Sequence, residues 1–137
     1  MVWPPEDAAS AMDGDGRPSH RGGADGAAAT AICNAVVGAF KRTCGKGPTK
    51  VKAYGLDGDV AVVARDVLTP LERALVQSGN DQLVREARHV LADEVGKECR
   101  AEIEQATGQR VVGWQSQVDP GADSAFALVR LESPGTP

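Results

Sequence analysis

Gly45-Lys46-Gly47-Pro48-Thr49-Lys50 is the first place in this 137-residue chain where residue types and spacing suggest chemistry. Glycines, lysines and a hydroxyl in close sequence are the ingredients of a phosphate-cradling loop. A nucleotide P-loop, however, needs Gly-x-x-x-x-Gly-Lys-Ser/Thr leading from a strand into a helix, so that helix N-terminal amides face the phosphate. Here the pattern predicts a helix before the loop and a strand after it. What remains is charge. From residue 26 to 56 the chain carries Lys41, Arg42, Lys46, Lys50 and Lys52 and no acidic residue. A surface of that kind suits a small anion or nucleotide, a lipid headgroup or an acidic protein face. Lys46, Gly47, Thr49, Lys50 and Lys52 are its candidate contact residues. The competing reading is a helix cap and a turn carrying solvated lysines.

Other chemistry is sparse. Glu94, Glu98 and Glu102 recur every four residues and line one strip of a helix. An acid–base pair needs two carboxyls in unlike environments, which three equivalent exposed glutamates do not offer. Cys33, Cys44 and Cys99 show no Cys-x-x-Cys or Cys/His spacing, and the two histidines are His20 and His89, with His89 expected at the surface. No metal or other cofactor is expected. With no nucleophile–base pair in view, the expectation is a protein that is not an enzyme.

The elements that must position the basic loop are legible on both sides of it. Ile32, Val36 and Phe40 form an apolar stripe on a helix from about Ala27 to Thr43, with Lys41 and Arg42 in its last turn and Gly45 just beyond. Asp57-Gly58 predicts a two-residue hairpin turn, which sets Tyr54 opposite Ala61 and Ala53 opposite Val62. One face then gathers Val51, Ala53, Val60, Val62 and Ala64, the other Lys50, Lys52, Tyr54, Ala61, Val63 and Arg65. Leu68-Thr69-Pro70-Leu71-Glu72 reads as a helix start, with Thr69 the N-cap, Pro70 at N1 and Glu72 closing a capping box. That helix runs to about Gln77 and breaks at Ser78-Gly79-Asn80. A long helix follows from Asp81 to Thr107, ends at Gly108, and has Leu83, Ala87, Val90, Leu91, Val95, Cys99, Ile103 and Ala106 as its expected buried stripe. A second hairpin pairs Arg110–Val118, with Val112, Trp114 and Val118 sharing a face, with Ser124–Glu132.

The run GKGPTKVKAYGLDGDVAVVARDVLTPLE, followed by Leu75, Ser78-Gly79 and Leu83-Val84-Arg85-Glu86-Ala87-Arg88, resembles the MpsC-like family over about residues 27–132. The resemblance implies a soluble component of a membrane-potential-generating, sodium-translocating system, with relatives linked to inorganic-carbon uptake. It brings no catalytic residues with it. The function expected is therefore an accessory or regulatory component of a membrane ion- or bicarbonate-translocating system. It would work by protein–protein contact, with a transporter subunit as partner. The alternative is a regulatory homodimer that binds a small anion or nucleotide through the basic loop.

The expected fold is an α+β two-layer sandwich in the order helix–hairpin–helix–hairpin, with a mostly antiparallel four-stranded sheet, two helices over one face and one long helix. Its other face would carry Tyr54, Val63, Lys50 and Lys52 with either Trp114 or Phe126, a half-apolar surface that suggests a homodimer. The length suits one domain, 27–132, with a loose tail at 133–137. Residues 1–26 lack any hydrophobic period and read as a disordered tail in which Trp3 stands alone. Five acidic residues against Arg17 and Arg21 give the first 25 residues a net charge of −3, out of −4 for the chain. The domain is thus nearly neutral, which disfavours a nucleic-acid partner. No apolar run approaches the roughly 20 residues that span a bilayer. The N-terminus lacks the charged and apolar regions of a signal peptide, and the odd cysteine count suits reduced thiols. A cytoplasmic location is expected, peripheral at the inner face of the membrane.

Overall fold

A computed structural model describes residues 26–132. The two tails, 1–25 and 133–137, lie outside the described residues. The described elements are α1 (Gly26–Cys44), β1 (Lys50–Leu56), β2 (Asp59–Arg65), α2 (Pro70–Gln77), α3 (Asp81–Thr107), β3 (Val111–Asp119), a 3-10 turn (Pro120–Ala122) and β4 (Ser124–Leu131). The four strands form one antiparallel sheet in the order β1-β2-β4-β3, so the second hairpin inserts its later strand beside the first hairpin. The α+β architecture and the helix–hairpin–helix–hairpin order are those expected.

The first hairpin follows directly from its turn. Asp57 and Gly58 both adopt positive φ, 49° and 96°, the backbone that matches the twist of the flanking strands. Tyr54 consequently pairs with Ala61 and Ala53 with Val62. At the start of α2, the Thr69 side chain accepts the Glu72 amide and the Glu72 side chain accepts the Thr69 amide, with Pro70 in the first turn. That is a complete capping box.

The core lies between the sheet's inner face and one face each of α1 and α3. Ala53, Val60, Val62, Ala64, Ala125, Ala127, Val129 and Leu131 meet Ile32, Val36 and Phe40 of α1 and Val84, Val95, Cys99 and Ile103 of α3. Ala28, Ala29, Ala35 and Ala39 are all buried on α1, and side chains this small let the two helices pack closely. Glu104 holds the far end of α3 to the sheet by accepting the Val111 amide at 2.9 Å.

Two sequence expectations are corrected here. In the first half of α3 the buried stripe is Val84 and Arg88, while Leu83 and Val90 are 53% and 74% exposed. Counting back from Ile103, Cys99 and Val95 in helical steps leads to Arg88 and Val84. The apolar residues at 83, 87 and 90 lie out of that phase, and a charged residue occupies the core position. In β3, Val112 does not share the face of Trp114 and Val118. The ladder slips between Val111 and Gly113, so buried Val111 and Val118 and half-buried Trp114 lie on the helix side, and Val112 turns outward, 55% exposed. Such a bulge re-aims every side chain beyond it. Trp114 therefore leaves the open face to Phe126.

Trp114 donates its indole N–H to the Ala92 carbonyl at 2.9 Å and lies flat against Gly96, where a Cβ would stand 2.7 Å from the indole ring. Gly96→Val should therefore lower the unfolding free energy by about 2–3 kcal/mol, the usual cost of overpacking a filled core. Urea denaturation measures this, and an unchanged midpoint would mean that α3 and the indole do not touch.

Candidate functional site

The loop from Gly45 to Thr49 closes on a single carboxylate. Asp66, at the end of β2 with φ 61°, accepts a hydrogen bond from the Thr49 hydroxyl at 2.9 Å and pairs with Arg73. Lys46 lies 3.3 Å from the same carboxylate and also donates to the Asp66 backbone carbonyl. Thr49's hydrogen bond, then that of Lys46, with the charges of Lys46 and Arg73, holds the Asp66 carboxyl below its ordinary range. Arg73 reaches on to Asp123 at 3.1 Å, and Asp123 accepts the amides of Val67 and Leu68 at 2.9 Å each. The two hairpins and the start of α2 are thus tied at one corner.

This geometry separates the five loop candidates. Lys46 and Thr49 come together on Asp66. Gly47 lies against α1, where a Cβ would meet the Val37 side chain at 3.0 Å and its carbonyl at 3.1 Å. Lys50 and Lys52 stand apart, exposed along β1 at the edge of the sheet. An anion at Lys46 or Thr49 would have to compete with Asp66. One at Lys50 and Lys52 would not. The acidic strip is also engaged within the chain: Arg42 pairs with Glu98 at 2.7 Å and Glu102 at 3.5 Å, and Lys97 with Glu94 at 3.4 Å.

A second charged centre is buried. Arg88 is 5% exposed. Its Nε donates to Glu72 Oε2 at 2.6 Å and its Nη2 to Glu72 Oε1 and the Val67 carbonyl, both at 2.7 Å. Its guanidinium carbon lies 5.8 Å from the Phe40 ring centroid, within cation–π range. Burial alone would raise the Glu72 carboxyl, but Arg88's hydrogen bonds, the Thr69 amide and the Arg88 charge bring it below its ordinary range. Sequence reasoning identified Glu72 as a cap and passed over Arg88. The missed signal was the phase of α3, which places position 88 on the buried stripe.

Arg88 Nη1 is buried and has no hydrogen-bond partner. Arg88 also lines a cleft of about 820 Å³ between the first half of α3 and β3, together with Phe40, Cys44, Arg85, His89 and Trp114. Glu72 and Val67 line no part of it, so the paired side of the guanidinium faces away from the cleft. The cleft can take a ligand with an apolar body and an acceptor group. Burial pushes the Cys44 thiol up, only partly offset by Arg88, which leaves a protonated, weakly nucleophilic sulfur there at neutral pH. Burial also takes Cys33 to about 11 and Cys99 to about 12.

A family model described as "Na+-translocating membrane potential-generating system (MpsC)" matches residues 24–133. No curated protein and no solved structure matches the chain.

The Arg88–Glu72 pair makes its own prediction. Glu72→Gln leaves a buried guanidinium without its counter-charge and should cost about 3–5 kcal/mol, whereas replacing both partners, with Arg88→Met added, should recover much of that loss. The pH dependence has a definite sign. Because the folded carboxyl lies below its unfolded value of about 4.3, this contribution is complete above that pH and is lost as pH falls through the folded value. Denaturant midpoints from pH 7 to pH 3 should show a slope in the native chain that Glu72→Gln lacks. Equal slopes would remove the pair from the acid stability of the fold.

Proposed function

The chain belongs to the MpsC family of Na+-translocating membrane potential-generating systems, and on that premise we propose that it is a non-catalytic accessory subunit of such a system, acting by protein–protein contact. The observation that carries this reading is the contrast between a membrane-borne system and the helices of this chain. Among the described residues, no helix is long and apolar enough to cross a membrane. The longest, α3, has 27 residues but is charged at nearly every turn. The subunit would dock at the inner face of the membrane, and Lys50 and Lys52 on the exposed edge strand are its cationic contacts. Lys46 contributes by shaping the corner at Asp66 rather than by meeting the partner.

The test is made in cells. Deleting the gene should remove the sodium-dependent part of the membrane potential, read with a potential-sensitive dye. The native chain should restore it, and Lys50→Glu with Lys52→Glu should restore it only in part while leaving the circular dichroism unchanged. A potential indifferent to the deletion would reject the accessory role.

Arg88, whose buried Nη1 has no hydrogen-bond partner, lines a cleft that also holds Arg85 and His89, which favours a second reading, a regulator that senses a small carboxylate or phosphate. Acetate or inorganic phosphate at millimolar concentration should then raise the melting temperature by a few degrees, as ligand linkage requires. The rise should vanish in Arg85→Ala with His89→Ala. No shift in the native chain would reject anion sensing by this cleft.

A further inference from the structure

The cleft between the first half of α3 and β3 carries charged side chains that the fold itself leaves unused. Arg85 and His89 stand four positions apart on α3, and Glu86 and Asp93 seven apart, so each pair lies along one side of the helix. The rows are offset by one residue and are therefore neighbours. All four side chains line the cleft, and all four are exposed. Among the described residues, none of the four takes part in a hydrogen bond or an ion pair. Further along the same helix the opposite holds: Glu94 pairs with Lys97, Glu98 and Glu102 with Arg42, and Glu104 with Arg100. Arg88 lines the same cleft, and its buried Nη1 has no hydrogen-bond partner.

Size and lining narrow the ligand. At about 820 Å³ the cleft falls in the range, roughly 300–1,000 Å³, that holds a whole small molecule. A water takes only about 30 Å³, so an acetate or a phosphate would leave most of the space to solvent. Phe40 and Val95, both buried, and half-buried Trp114 line it and suit an apolar group. Charge narrows it further. A simple carboxylate that met Arg85 would have Glu86 and Asp93 beside it, and a simple cation that met the acids would have Arg85 beside it. A ligand with both charges on one carbon meets each row with its complement.

We infer that the cleft binds a free α-amino acid with a large apolar side chain. Its carboxylate lies toward Arg85 and His89, its ammonium toward Glu86 and Asp93, and its side chain against Phe40, Val95 and Trp114. The inference rests on the reading of this cleft as a carboxylate sensor and names the class of carboxylate.

Trp3 and Trp114 are the two tryptophans, so the full chain with Trp3→Phe reports the cleft through Trp114 fluorescence. L-phenylalanine should give a saturable change. It should bind at least about ten-fold more tightly than 3-phenylpropionate, which lacks the ammonium, or 2-phenylethylamine, which lacks the carboxylate, as expected for losing a hydrogen bond to a charged group. Glycine, without the apolar side chain, should be weaker by at least about ten-fold as well. Glu86→Gln with Asp93→Asn should bring phenylalanine down to the level of 3-phenylpropionate and leave 3-phenylpropionate unchanged, with circular dichroism checking that the variant folds. Equal affinities for phenylalanine and 3-phenylpropionate would overturn the inference and leave the simpler carboxylate sensor standing. Binding of 2-phenylethylamine as tight as that of phenylalanine would overturn both. No change in fluorescence or melting temperature with phenylalanine would also overturn the inference, whatever acetate or phosphate does.

Discussion

A positive charge that cannot reach water governs how this domain is assembled. Arg88 projects from α3 into the region where α2, the end of β2 and α1 converge, and each contributes one kind of partner. Glu72 supplies the counter-charge, Val67 a carbonyl and Phe40 an aromatic ring. An unpaired charge in such a place costs several kcal/mol, so the guanidinium is tolerated only when all three are present. The arrangement explains how α2 can be held although none of its own residues is buried. Leu75 and Val76 pack half-buried against the core, and the directional part of the attachment is electrostatic, through Glu72 to Arg88 and through Arg73 to Asp66 and Asp123. The capping box completes the logic, because the carboxylate that meets Arg88 is also fixed by the Thr69 amide.

Much of this was legible in the residues, and the parts that were not have physical reasons. The first hairpin could be registered to the residue because Asp57-Gly58 admits few alternatives. The capping box was readable because all its members lie within four positions. Arg88 was not readable as a core residue because periodicity weighs side chains one at a time. A charge becomes buriable only through a partner 16 positions away. Leu83 and Val90 misled for the same reason, being apolar residues on the wrong side of a helix whose phase is set further along. The slip between Val111 and Gly113 left no local mark, and it turned Val112 away from the face of Trp114 and Val118. The basic loop was half legible: its charge was plain, but the acceptor that engages Lys46 lies 20 residues further on, at Asp66.

The same accounting changes the meaning of the surface charges. Read along the chain, Lys41 to Lys52 is a basic run and Glu94 to Glu102 an acidic one. In three dimensions Arg42 answers Glu98 and Glu102 between α1 and α3, and Lys46 answers Asp66. What is left over is narrower, Lys41 at the end of α1 and the two lysines of β1 beside Arg65, the latter on the same sheet face as the half-exposed Phe126. A small domain that must recognise something has few places to do so. Here these are the outer sheet face with its cationic border and the cleft above Arg88.

By offsetting the outer strand by one residue, the bulge at Val112–Gly113 also denies an incoming chain a regular row of amides and carbonyls to pair with. The opposite edge, β1, is guarded differently, by Lys50 and Lys52, whose charges repel a second strand bearing the same residues. Open sheets are prone to lengthen strand by strand into polymers, and lysines and bulges at the edges are the means by which natural sheets resist it. This sheet has one device at each end. Strand addition is thus opposed at both edges without closure into a barrel, and since the inner face is buried under α1 and α3, the outer face is the broad surface the sheet has left.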